Sequence, residues 1–159
     1  MNLLDTYAII QMLRTRKHET GAISTITLIE ILRGIDADKR PKAKTLLEET
    51  FNHLAIDNKV ILNYCDLYDK LKKQGTLVPD ADLLIAATAT THNVQLKTKD
   101  EHFKRLEKLG LKLAQTSKSN HPSTDETHPA PKLSQLAGID KQLFEGKKPS
   151  GDIEATRKE

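Results

Sequence analysis

Asn2-Leu3-Leu4-Asp5-Thr6-Tyr7-Ala8-Ile9-Ile10-Gln11-Met12-Leu13 opens the chain, and its reading decides the fold class. A short apolar run stops abruptly at an acid and a hydroxyl, the pattern of a buried strand ending in polar residues. Ile9, Ile10 and Leu13 then recur at helical spacing. The alternation repeats downstream. Gly21 introduces Ala22-Ile23-Ser24 as a second brief strand, residues 27–32 resume the helical period, and Gly34 reads as a C-cap. Two longer helical stretches follow. The first covers 39–54, with Leu46, Leu47, Phe51 and Leu54; the second covers 60–73, with Ile61, Leu62, Leu67 and Leu71 read onto one side and Gly75 ending it. After Pro79, residues 83–89 predict an alanine-rich apolar helix, 94–98 a strand, 103–109 a short helix and 111–113 a last strand. Strands alternating with helices of this length predict an α/β fold built on βαβ units and a parallel sheet. Ligands of such sheets bind outside the carboxyl ends of the strands, and Asp5 and Asp100 each fall just past one.

Composition narrows the function classes. The 159 residues suffice for one domain plus an appendage, and a domain of that size buries roughly 70% of its unfolded surface. Aromatics are scarce (three Tyr, three Phe, no Trp), so the core must be mainly Leu, Ile, Val and Ala. Cys65 is the only cysteine, which excludes an intrachain disulfide and suits a reducing cytoplasm. No basic segment leads into a long apolar one, and no apolar run approaches 18 residues, so neither secretion nor membrane spanning is expected. The net charge of +3 and pI of about 8.9 are only mildly basic. The cluster Arg14, Arg16 and Lys17 reads as a solvated helix end rather than a polyanion site. There is no Walker A loop, no GxGxxG and no zinc-ligand spacing.

Four acids form the candidate site: Asp5, Glu30, Asp82 and Asp100. Carboxylates drawn from several elements to one sheet end supply the hard oxygen ligands that Mg²⁺ or Mn²⁺ needs for phosphodiester cleavage. Each has a structural reading as well. Asp5 suits an N-cap, and Thr27-Leu28-Ile29-Glu30 is a formal capping box with Glu30 at its third helical position. Asp82 competes with Asp80 to cap the helix that contains Leu83, and Asp100 suits a cap before Phe103. Against the capping box stand the apolar neighbours Ile29 and Ile31, which predict a partly exposed carboxylate in need of a partner. Spacing alone favours the structural readings.

The neighbourhoods reverse that preference. Leu3-Leu4-Asp5-Thr6 is followed by Ile23-Ser24-Thr25-Ile26-Thr27-Leu28-Ile29-Glu30. Then come Pro79-Asp80-Ala81-Asp82-Leu83-Leu84-Ile85-Ala86-Ala87 and Leu96-Lys97-Thr98-Lys99-Asp100-Glu101-His102-Phe103. In this order and spacing the chain resembles a PIN-domain ribonuclease, specifically the VapC-type toxin of toxin–antitoxin pairs, from Met1 to about Leu113. The resemblance implies a PIN-like three-layer fold, with a central, mostly parallel sheet flanked by helices. It implies a metal-dependent endoribonuclease whose catalytic acids are Asp5, Glu30, Asp82 and Asp100. Asp5, Asp82 and Asp100 bind the Mg²⁺ or Mn²⁺, and Thr6 and Thr98 support them. It also implies an RNA substrate, an antitoxin partner and a homodimer. Tyr7 departs from the family, which often has Asn or Ser there. His92 and His102 read as helix-surface residues. A haloacid-dehalogenase-type phosphatase is disfavoured because Tyr7 stands where a second Asp belongs, and a response-regulator receiver because its paired acids and downstream Lys are missing. A catalytically silent PIN-scaffold binding module is the alternative function.

Composition changes after Leu113. The organisation expected is a nuclease domain over 1–114, a flexible linker over 115–132 rich in Pro, Ser and Thr, and an amphipathic antitoxin-like tail over 133–159. In this reading Phe144, Arg157 and Lys158 are the tail's inhibitory residues, tethered at high effective concentration. A peripheral helix and a fusion segment are the competing readings of the tail.

Overall fold

A computed structural model describes residues 1–115; the expected tail with Phe144, Arg157 and Lys158, and the linker from 116 onward, lie outside the described residues. The chain runs β1 (Asn2–Leu4), α1 (Thr6–Thr15), β2 (Ala22–Ser24), α2 (Thr25–Arg33), α3 (Arg40–Thr50), β3 (Asn52–Leu54), α4 (Asn58–Gln74), α5 (Asp80–Thr91), β4 (Gln95–Lys97) and a 3₁₀ helix (Glu101–Leu109). The strands pair in parallel in the order β3-β2-β1-β4. The progression from β1 to β3 runs one way, and β4 then adds on the far side of β1. The order therefore reverses between β1 and β4, where parallel sheets open a crevice for ligands.

Side-chain alternation along three-residue strands builds the layers. Leu3 and Ala22 pack with Val60, Leu67, Leu71 and Leu83 of α4 and α5. Their neighbours Leu4 and Ile23 point the opposite way, against Ile9, Leu28, Ile31 and Leu47 of α1, α2 and α3. The sheet is covered on both faces, as an all-parallel sheet requires. Gly21 permits the close approach of β2 to β1, since a Cβ there would meet Leu4 Cδ1 at 2.9 Å and the Asn2 carbonyl oxygen at 3.0 Å.

Three local expectations are corrected. The stretch 39–54 is not one helix: α3 ends at Thr50, Phe51 turns extended, and Asn52–Leu54 pairs with β2. The apolar spacing there mimics a helix because Phe51 and Leu54 are buried from an extended chain instead. Residues 111–113 form no strand but a single bridge, Leu96 to Leu113. The apolar residues of α4 do not share a side, since Leu67 and Leu71 are buried while Ile61 and Leu62 are exposed. Among the described residues no helix is long and apolar enough to cross a membrane.

Candidate active site

Asp5 stands where β1 ends and α1 begins. Its amide donates to the Lys97 carbonyl at 3.3 Å, so the β1–β4 pairing fixes its place. Its carboxylate caps α1 by accepting from the Ala8 amide at 2.8 Å. The structural reading of Asp5 thus holds and does not compete with a site role. Asp5 is the one buried charged residue among those described. Burial pushes its pKa up; hydrogen bonds from Thr98 and the Ala8 amide pull it down, and the charges of Asp100 and Glu30 push it up again.

Glu30 is not part of a capping box. β2 passes directly into α2, so Ser24 is the cap and accepts from the Thr27 amide at 3.0 Å. Thr27 is buried inside the helix, which leaves Glu30 free of capping duty. The Glu30 carboxylate is partly buried and accepts a hydrogen bond from the Thr6 hydroxyl across the α1–α2 gap.

Asp82 sits in the first turn of α5, where the helix dipole favours a negative charge. Neither Asp80 nor Asp82 caps α5 through its side chain, because Pro79 holds the cap position. Asp80 instead accepts from the Tyr64 hydroxyl at 2.6 Å, a bond that pushes the Tyr64 pKa to about 12. Asp82 is half-buried and accepts no hydrogen bond among the described residues. Burial raises its pKa first, then Asp100 and Glu30; His102 lowers it and Asp5 raises it.

Asp100 follows β4 and caps the 3₁₀ helix, accepting from the His102 amide at 2.9 Å. Its own amide donates to Thr98 Oγ1 at 3.0 Å. Thr98 therefore steadies two acids, as donor to Asp5 and acceptor from Asp100. His102 Nδ1 lies 3.2 Å from Asp100 Oδ1, and ligand atoms of Asp82, Asp100 and His102 all fall within 4.8 Å of one another. His102, expected from the sequence to be a helix-surface histidine, is exposed. It belongs to this corner all the same, because the 3₁₀ turn folds it back onto its own cap. His92 is exposed at the opposite end of α5 from Asp82.

The charges of Asp100 and Glu30 act on both Asp5 and Asp82, and the four acids come from the ends of β1 and β4, the middle of α2 and the start of α5. Two pKa values raised by burial and mutual repulsion, with a half-buried carboxylate lacking a donor among the described residues, are what a divalent cation relieves. The donor set is oxygen-rich, as Mg²⁺ and Mn²⁺ prefer. The residues present fit such an ion.

A family model described as PIN domain matches residues 3–109. Ribonuclease VapC1 of Methanocaldococcus jannaschii is 41% identical over 115 residues, covering 70% of this chain and 85% of the relative. Ribonuclease VapC of Rickettsia bellii is 33% identical over 124 residues, covering 67% and 91%. Among solved structures, VapBC-1 from nontypeable Haemophilus influenzae aligns with a TM-score of 0.59 at 27% identity, over 71% of this chain and 96% of that one.

Proposed function

This chain belongs to the PIN-domain family, and from that membership we propose that it is a divalent-metal-dependent endoribonuclease, the VapC-type toxin of a toxin–antitoxin pair. The observation that carries the chemistry is Asp82, half-buried, without a donor among the described residues and under the charge of three other acids. Asp5, Asp82 and Asp100 would hold Mg²⁺ or Mn²⁺, with Glu30 completing the acidic cluster. When bound, such an ion supplies positive charge to the scissile phosphate and a water of lowered pKa.

The chain's own contribution is orientation. The Ala8 amide and Thr98 aim Asp5, Thr6 aims Glu30, and Thr98 with the His102 amide aims Asp100. Three carboxylates are thereby held by hydrogen bonds, and Asp82 is left with its full acceptor capacity. Water is the nucleophile in this reading, so no activated Ser, Thr or Cys is required.

The test incubates the full chain with a total-RNA pool and Mg²⁺ or Mn²⁺, beside Asp5→Asn and Asp82→Asn variants and a chelator control. Metal-dependent cleavage by the parent and its loss in both variants is expected. Equal cleavage by all three would sink the proposed site. The absence of cleavage together with no thermal shift on adding metal would favour a non-catalytic binding scaffold. The antitoxin belongs to the same proposal, as a separate chain or as residues 133–159 acting through Phe144, Arg157 and Lys158. Deleting 133–159 should raise cleavage, and unchanged or lower activity removes the built-in inhibitor. A homodimer using the Leu13 end of α1 and the exposed Ile61 and Leu62 of α4 completes the proposal.

A further inference from the structure

Beside the acids, a cavity of about 210 Å³ lies between α1 and the residues that follow β4, with Tyr7, Gln11, Met12, Lys17, Thr98 and Lys99 in its lining. It shares Thr98 with the acid site and begins two residues after Asp5, so its occupant would adjoin the cluster. Ala8 and Met12 make a buried apolar wall, while Tyr7 is 43% exposed at the rim. The Lys99 ammonium lies 5.1 Å from the Tyr7 ring centroid and 3.4 Å from its hydroxyl. Lys97 is paired with Glu19, but among the described residues Lys17 and Lys99 make no ion pair. Although Asp100 is its sequence neighbour, Lys99 lies over an aromatic face instead.

Resting on the ribonuclease reading, we propose that this cavity is a nucleobase subsite for single-stranded RNA. It takes the base of a nucleotide adjoining the scissile phosphate, with Tyr7 stacking on that base and Lys99 meeting a neighbouring phosphate. The size fits, since the volume is below the roughly 300–1,000 Å³ of pockets for drug-sized ligands and suits one ring system. The chemistry fits as well. An aromatic platform beside unpaired cations is how proteins hold single strands, stacking serving the base and charge the backbone. Gln11 adds an amide with both donor and acceptor for a base edge. The exposed Lys99–Tyr7 contact is of the weak cation–π kind, so an entering base displaces the ammonium from the ring toward phosphate at little expense. A basic peptide would be repelled by the same two lysines.

The experiment measures binding by the full chain carrying Asp82→Asn, so that cleavage does not interfere. The probe is a fluorescein-labelled pool of random single-stranded RNA of about eight nucleotides, within the range of single-strand site sizes. Adding Tyr7→Ala should weaken binding about 30-fold, the middle of the range for losing one base stack. Tyr7→Phe should stay within about twofold, because it keeps the stacking face. Lys99→Gln should weaken binding at low salt and flatten the dependence of log K on log salt by about one unit. On an abasic pool Tyr7→Ala should make no difference. The subsite is overturned if Tyr7→Ala changes nothing, if the loss is the same on abasic RNA, or if the chain binds no RNA. A change of oligomeric state by light scattering in place of an affinity change would assign the face to a contact between copies and also overturn it. Tyr7-dependent binding in the Asp82→Asn background, with no metal-dependent cleavage by the parent chain, breaks the ribonuclease reading alone. Intact cleavage with a silent Tyr7 breaks the subsite alone.

Discussion

At the end of β1, Asp5 is buried and receives hydrogen bonds from the Ala8 amide and from Thr98. In the first turn of α5, Asp82 is half-buried and receives none among the described residues. Both carboxylates are pushed above their ordinary range, burial being the first cause in each. The difference lies in what else each does. Asp5 holds the start of α1 as well as its share of the cluster, whereas Asp82 holds no backbone group among the described residues and adds charge. One acid is part of the fold, and the other is a burden on it that a function has to justify.

The sharpest way to break this comparison is to replace each acid separately. Asp82→Asn should lower metal-dependent RNA cleavage by on the order of 100-fold or more, since even residues that merely orient metal ligands cost 10–100-fold. Its melting temperature should be unchanged or higher, because the variant removes repulsion and no hydrogen bond. Asp5→Ala should lose activity to the same extent and also about 1–2 kcal/mol of stability through the lost cap, read from denaturant unfolding. Equal stability costs for the two would end the distinction.

Metal linkage comes next in size. At saturating Mg²⁺ or Mn²⁺, about 100-fold above Kd, the parent should gain roughly 2.7 kcal/mol, and Asp82→Asn much less. A smaller effect follows from pH without metal. A carboxylate whose folded pKa lies above its unfolded value, near 3.9 for Asp, contributes stability that is complete below that value and is lost as pH rises through the raised one. The advantage of Asp82→Asn over the parent should therefore be present at neutral pH and vanish on acidification through the raised pKa. An advantage that grows on acidification would contradict the raised pKa.

Thr98→Val tests the hydrogen bonds that set Asp5 apart. Activity should fall by roughly 10–100-fold, as for partners that orient metal ligands. Stability should fall by about 1 kcal/mol, because Asp5 loses a donor and the Asp100 amide an acceptor. The smallest effect is expected from Ser24→Ala. The lost cap of α2 should cost about 1 kcal/mol with most activity kept, since Glu30 is also held by Thr6.

Much of this was legible along the chain. Leu3-Leu4 and Ala22-Ile23-Ser24, each a short apolar run beside helical periodicity, announced buried strands and a parallel sheet. The four acids stood in order within recognisable surroundings. Local pattern carried these because burial on both faces and helical period leave direct marks on composition. It could not carry β3, whose three residues are extended only because β2 lies beside them. Nor could it separate Ser24 from Thr27 as the cap of α2, since both are hydroxyl residues and the choice depends on where the strand stops pairing. His102 and the Tyr7–Lys99 pair escaped for the same reason, being neighbours in space but not in any local period.

The sequence by itself determined the layered α/β architecture and which carboxylates were available, because both follow from residue type and spacing. Only the tertiary structure decided that Asp5 receives two donors and that Asp82 receives none among the described residues. Only it set the basic aromatic cavity beside them. Parallel pairing of β1 with β4 brings together residues more than ninety positions apart, and burial, repulsion and hydrogen bonding at that junction depend on distances that no linear reading contains.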